Sequence, residues 1–204
     1  MQNTIYKDTS HIIYQIASNL DSSSSKAYLA QLRQSVSRDI YTATGVFSLI
    51  FSNISDIHLG KQGKLTDGER AIITTLQLYA LHQQGNLTNV NIMGNSDKEK
   101  NKVEWEKGRN LGAVLNSLRT EENTKAVDRR FNAMITADNF DELIIHLRHL
   151  IKLLKSRSKA KINYPQLAVD LYFYQKGFRD NLRLKWSRSY YRQINNEKGD
   201  KENE

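Results

Sequence analysis

The chain has 204 residues, a single proline, ten glycines, no cysteine and a formal net charge of +8. That length is enough for one good core. The missing cysteines exclude disulfides and thiolate metal sites, and the scarcity of breakers favours long helices over a strand-and-turn fold. No uninterrupted apolar run approaches the ~20 residues of a membrane span, and the first twenty residues lack a basic stretch followed by an apolar one. The expectation is a cytoplasmic, all-α protein with no membrane partner.

Residues 9–20 predict a first helix, with Thr9 or Ser10 as its cap and Ile12, Ile13, Ile16 and Leu20 at helical spacing. The DSSSS run suits a loop and a cap. A second helix follows, with Ala27, Leu29, Leu32 and Val36 as its apolar positions. Arg33 lies near its end, where a cation also complements the helix dipole. TGVFSLIF, 44–51, predicts a short buried helix, and SNISDIHLGKQGKL a loop. Thr66 and Glu69 fit a capping box, opening a helix that runs to about Gln84 with Gly85 as its stop. Apolar residues surround much of that helix, which places it at the centre of an N-terminal lobe.

Residues 86–104 are polar and aperiodic and predict a mobile loop. A short helix carries Leu111, Val114, Leu115 and Leu118 on one face, and TEENT then separates two lobes, with Thr124 as a cap. Val127, Phe131, Met134 and Ile135 form the seam of the next helix. Asp138 is the expected cap of DELIIHLRHLIKLLK. Asn163 and Pro165 start another helix, with Leu167, Ala168, Leu171 and Tyr172 as its core face. Phe178, Leu182, Trp186 and Tyr190 make the last seam. The resulting division is 1–122, 123–194 and a disordered tail, 195–204, with nothing to bury.

Charge is unevenly spread. Residues 125–192 carry fifteen Lys and Arg against six Asp and Glu, a net of about +9, which exceeds that of the whole chain. A localised basic surface is the electrostatic footprint of a polyanion. At 100° per residue, Arg148, Lys152 and Lys155 share a stripe beside the Leu143, Leu147, Leu150, Leu154 arc. In the last helix, Lys185, Arg188 and Arg192 line one flank of the seam, and Arg179 and Arg183 the other. With Arg33, Arg119, Arg129 and Arg130, these twelve are the candidate nucleic-acid-binding residues. Tyr191, across the helix from Leu182, is the better candidate for stacking on a base, whereas Trp186 and Tyr190 stand at core spacing.

Signals for catalysis are sparse. Glu142, His146 and His149 share one side of a helix without an HExxH pattern. Neither a phosphate-cradling glycine loop nor a nucleophile elbow occurs. Asp170 is expected to pair with a neighbouring Arg or Lys. The reading is a non-enzyme without metal or cofactor.

The succession NLGAVLNSLR, DRRFNAMITADNFDELIIHLRHLIKLLK, INYPQLAVDLY and RDNLRLKWSRSYYR resembles the CasB family, the small subunit of the type I-E CRISPR surveillance complex Cascade. The likeness covers about 108–192, and AYLAQLRQSVSRD extends it more weakly. It implies a non-catalytic helical subunit of two small bundles. Its partners would be other Cascade subunits, further copies of itself, guide RNA and both DNA strands. Its basic face would hold nucleic-acid backbone while the R-loop forms during antiviral defence. The alternatives are an adaptor for acidic proteins and a free-standing nonspecific DNA- or RNA-binding protein.

Overall fold

The computed structural model describes residues 2–36, 43–92 and 110–192. Among them are nine α-helices: α1 Gln2–Ala17, α2 Ser23–Ser35, α3 Phe47–Phe51, α4 Asp67–Gln83, α5 Leu111–Asn116, α6 Thr124–Ile135, α7 Phe140–Arg157, α8 Tyr164–Gln175 and α9 Arg179–Tyr191. A 3-10 turn, Thr44–Val46, leads into α3. The all-α expectation holds.

Two helices are buried on nearly every side. Along α4, Ala71, Ile72, Ile73, Leu76, Leu78, Tyr79 and Ala80 are all buried. Along α8, Leu167, Ala168, Val169, Asp170, Leu171, Tyr172 and Tyr174 are. An apolar stripe that wide needs partners all round. α4 and α8 pack on each other, with α1 against both, α2 and α7 against α4, and α9 against α8. α5 packs on α9 and α6 on α7. Contacts therefore join the lobes expected at 1–122 and 123–194, because α8 lies against α1 and α4. The core face expected for α8 was too narrow for the same reason.

Helix ends follow side-chain chemistry. Thr66 and Glu69 form the capping box, Thr66 Oγ1 accepting from the Glu69 amide (3.1 Å) and Glu69 Oε2 from the Thr66 amide (2.7 Å). Asn163 accepts from the Gln166 amide, with proline in the first turn of α8. Gly85 takes φ +80 after α4, where a side chain would be strained.

Several expectations need correction. α1 starts seven residues early, because Ile5, Thr9, Ile12 and Ile16 make one continuous buried stripe. Thr9 does not cap it but bonds back to the Ile5 carbonyl (2.7 Å). Ala27 is exposed on α2. Asn139, not Asp138, caps α7, accepting from the Glu142 amide, while the Asp138 amide donates to Glu142 Oε2 (2.8 Å). Thr124 lies inside α6, after Asn123.

Phe178 is half exposed and belongs to the end of α8 rather than the seam of α9. Its amide bonds the Phe173 carbonyl, and the Gly177 amide bonds that of Tyr174. With Gly177 at φ +90 and the Phe173 and Phe178 rings 5.5 Å apart, this is a Schellman stop with its hydrophobic contact.

The first part of the supposed mobile loop is pinned. Gln83 Nε2 donates to the Asn86 and Thr88 carbonyls, and Gln83 Oε1 accepts from the Val90 amide. Asn91 then makes an isolated parallel bridge with Ile162. Residues 93–104 of that loop, and the tail expected at 195–204, lie outside the described residues.

Two positions test this packing. A β-carbon on Gly112 of α5 would sit 2.0 Å from the Trp186 carbonyl oxygen on α9. Backbone cannot yield as a flexible side chain can, so Gly112→Ala should lower stability by at least ~1–3 kcal/mol, read as a lower urea midpoint. His82, buried in α4 beside the Tyr164 hydroxyl (3.0 Å), is held down to about 4 from 6.5 by burial and then by the Lys155 charge. The unfolded chain therefore takes up a proton first as pH falls below 6.5. Stability should fall between pH 6.5 and about 4, by up to ~3 kcal/mol, and His82→Gln should flatten that slope in urea titrations at stepped pH.

Candidate nucleic-acid interface

Candidate cations on α9 are sorted by how that helix docks. Leu182, Trp186 and Tyr190 face inward. Trp186 Nε1 donates to Asp170 Oδ2 (2.9 Å), and Lys185 Nζ (2.8 Å) and Gln166 Nε2 (3.0 Å) donate to Oδ1. Asp170 thus pairs with a lysine, as expected, and Lys185 neutralises a buried carboxylate. Arg183 Nη2 donates to the Ala137 carbonyl (3.0 Å) and Nη1 pairs with Asp180 (3.2 Å). Arg179 Nη1 donates to the Asp138 carbonyl (2.6 Å). Both arginines therefore bond carbonyls of the connection between α6 and α7.

Arg119 is likewise engaged. Its Nε lies 3.0 Å from Asp128 Oδ1, and its guanidinium stands 5.4 Å and 5.7 Å from the Tyr190 and Tyr191 ring centres. The Tyr190 hydroxyl donates to the same carboxylate (2.7 Å). Burial, and then this bond, push that phenol well up. Trp186 and Tyr190 are core residues, as their spacing predicted, and Tyr190 stacks on Phe131 at 3.7 Å with rings nearly parallel.

Seven further candidates make no ion pair among the described residues. Arg129, Arg130, Arg188 and Arg192 are exposed. Arg33, Lys152 and Lys155 are brought together by α2 and α7. The Lys155 ammonium is held low by burial and by the nearby charges of Arg33 and Lys152, and burial also lowers Arg33. Lys155 Nζ donates to Gln84 Oε1 (3.0 Å), a neutral partner. Sequence periodicity grouped Lys152 with Lys155, but only the tertiary packing of α2 adds Arg33. Arg148, on the same helix, instead lines a groove of about 370 Å³ with Ser35, Gln77, Arg70 and Phe140.

Glu142 and His146 face each other at 3.7 Å. No cluster of three metal-ligating side chains occurs among the described residues. No helix among them is long and apolar enough to cross a membrane.

The model of CRISPR-associated protein Cse2 matches residues 28–191. The chain belongs to the Cse2 family. Three solved structures share its fold. CasB from Thermobifida fusca is 20% identical at TM-score 0.69, covering 92% of this chain and 98% of that one. A CRISPR-associated protein of the Cse2 family from Thermus thermophilus is 18% identical at 0.62, covering 90% and 97%. M. ruber CasB is 17% identical at 0.62, covering 90% and 92%. Among curated proteins none matches the sequence. The motif order that resembled CasB thus identified the family correctly.

For this Cse2-family chain the sorting of cations has a direct readout. Lys185→Ala removes one donor from a buried carboxylate and should cost about 1–3 kcal/mol. Trp186→Ala, at a site 1% exposed, should cost about 3–5 kcal/mol. Arg129→Ala and Arg188→Ala, on exposed positions, should stay within ~0.5 kcal/mol of wild type. Urea unfolding of the four variants checks the ranking.

Proposed function

We propose that the chain is a non-catalytic small subunit of a type I-E CRISPR RNA-guided complex, Cascade. In this reading it binds nucleic-acid backbone without regard to sequence and steadies the R-loop during target recognition. Its partners are the other subunits, further copies of itself, guide RNA and the two DNA strands. Family membership supports the assignment to the complex. The cluster of Arg33, Lys152 and Lys155 carries the nucleic-acid part. Three cations from two helices are held together against their mutual repulsion, with only a neutral amide bonded to them among the described residues.

A phosphate is the ligand that relieves this arrangement. Each cation set against a phosphate also releases condensed counterions, which favours binding at low salt. Contacts of that kind fix a strand in place but do not read bases. Such an indifferent contribution suits strand exchange, because replacing a DNA duplex by an RNA–DNA hybrid is nearly balanced in energy. Arg129, Arg130, Arg188 and Arg192 extend the same chemistry from α6 and α9.

Charge reversal tests the proposal in the assembled complex. Lys152→Glu with Lys155→Glu, and separately Arg129→Glu with Arg130→Glu, should leave the fold intact by circular dichroism. Both should weaken DNA binding equally across target sequences. Each lost phosphate contact should reduce the magnitude of the slope of log affinity on log salt by about 0.7–0.9. If affinity and slope stay at wild-type values while assembly with the protein partners fails, the face is an adaptor surface instead.

A further inference from the structure

We propose that Tyr191 is a stacking site for one unpaired base of a single-stranded nucleic acid. The inference rests on the nucleic-acid role above and adds to it a contact with a base rather than with phosphate.

An exposed tyrosine by itself means nothing, since scattered surface aromatics are ordinary. Tyr191 differs in how firmly it is held. The residue is 42% exposed, yet its hydroxyl is already satisfied, donating to Asn132 Oδ1 on α6 (2.7 Å). Exposure therefore does not serve to hydrate the polar end. The ring stands perpendicular to Tyr190 at 4.9 Å and to Phe131 at 5.8 Å. Arg119 lies 5.7 Å from its centre and is itself fixed by Asp128. Anchors on two helices thus hold the ring in one orientation while leaving a large part of the side chain in water. A platform fixed in advance loses little conformational entropy when a flat group lands on it.

Cations flank the platform. Arg188 lies one turn before Tyr191 on α9, and Arg129 one turn before Asn132 on α6, so each shares a helix face with an anchor of the ring. Both are exposed, with no ion pair among the described residues. An aromatic ring beside guanidiniums that can take the adjoining phosphates is the pattern of single-strand binding. Stacking supplies base contact without base identity. A duplex, whose bases are stacked on each other, offers no face to such a ring, so the occupant is a single strand.

The test uses the full-length chain at low ionic strength and two fluorescent probes of equal length and charge. One is oligothymidylate, and the other is the same backbone with abasic sites. Wild type should bind oligothymidylate more tightly than the abasic strand. Tyr191→Leu should weaken oligothymidylate binding by roughly five- to a hundred-fold, the range that stacking one base commands, and leave the abasic strand unaffected. Tyr191→Phe, which keeps the ring and loses only the Asn132 bond, should stay close to wild type on both probes.

Equal wild-type affinity for the two probes overturns the proposal, as does no binding of either. So does a Tyr191→Leu effect that is absent or the same on both. Because each variant is judged by its ratio between probes, a partial loss of folded protein cancels. The backbone reading fails separately, when Arg129→Glu with Arg130→Glu leaves both affinities unchanged. A fall in both affinities there, with no base-dependent loss in Tyr191→Leu, keeps the backbone role and removes only the stacking site.

Discussion

A carboxylate buried inside α8 constrains the C-terminal half of the molecule. Asp170 sits on a helix enclosed nearly all round, and its side chain is only 6% exposed. A charge in that position is strongly unfavourable unless its oxygens are bonded. Gln166 supplies one donor from the same helix, and the other two come from consecutive residues of α9, Lys185 and Trp186. Two adjacent side chains reaching separate oxygens of one carboxylate fix both the rotation of α9 and its position along its axis. With those set, Tyr190 meets Phe131 and Asp128, and the Trp186 carbonyl meets the space that Gly112 leaves open. Arg179 and Arg183 then reach the carbonyls beyond α6.

The same constraint divides the basic residues into two kinds. Those on or beside the docking face of α9 are consumed by the fold: Lys185 by Asp170, Arg183 and Arg179 by backbone carbonyls, and Arg119 by Asp128. They set where the helix lies. Arg129, Arg130, Arg188 and Arg192 stand on the surfaces that this docking turns outward. Net charge alone cannot distinguish the two kinds, since a guanidinium bonded to a carbonyl keeps its full charge. Partners decide the matter, and they come from tertiary structure.

Legibility in the sequence follows the range of the interaction concerned. Local chemistry was readable: the Thr66–Glu69 box, Asn163 with Pro165, Gly85 after α4, and the inward spacing of Leu182, Trp186 and Tyr190. The partner of Asp170 was readable as a type, a basic neighbour, though not as Lys185. Where two local signals competed, the burial stripe won. Thr9 looked like a cap but lies inside α1, because Ile5 extends the apolar stripe past it. Phe178 fits the spacing of α9 but closes α8, since Gly177 before it can take a positive φ. Gly112 stood in plain view within NLGAVL, yet the reason for a glycine there, the backbone of α9, lies far along the chain. Arg33 joined Lys152 and Lys155 for a similar long-range reason: α2 and α7 meet only through the fold around α4.

That last grouping also ties the surface to the core. Lys155 stands in both, bonded to Gln84 just beyond α4 and contributing to the field that keeps His82 neutral. Burial is the larger cause of that neutrality, and the lysine charge adds to it. In the proposed role, a phosphate settling against Arg33, Lys152 and Lys155 cancels part of this field, so proton affinity at His82 rises when a strand is bound. Linkage makes the effect reciprocal for binding. Protonating His82 would add a positive charge within reach of Lys155 and strengthen the hold on a phosphate there. The protonation itself remains opposed by burial, so near neutral pH the histidine stays uncharged and the cluster works with three cations. Its hydrogen bond to Tyr164, on α8, then stays that of a neutral imidazole.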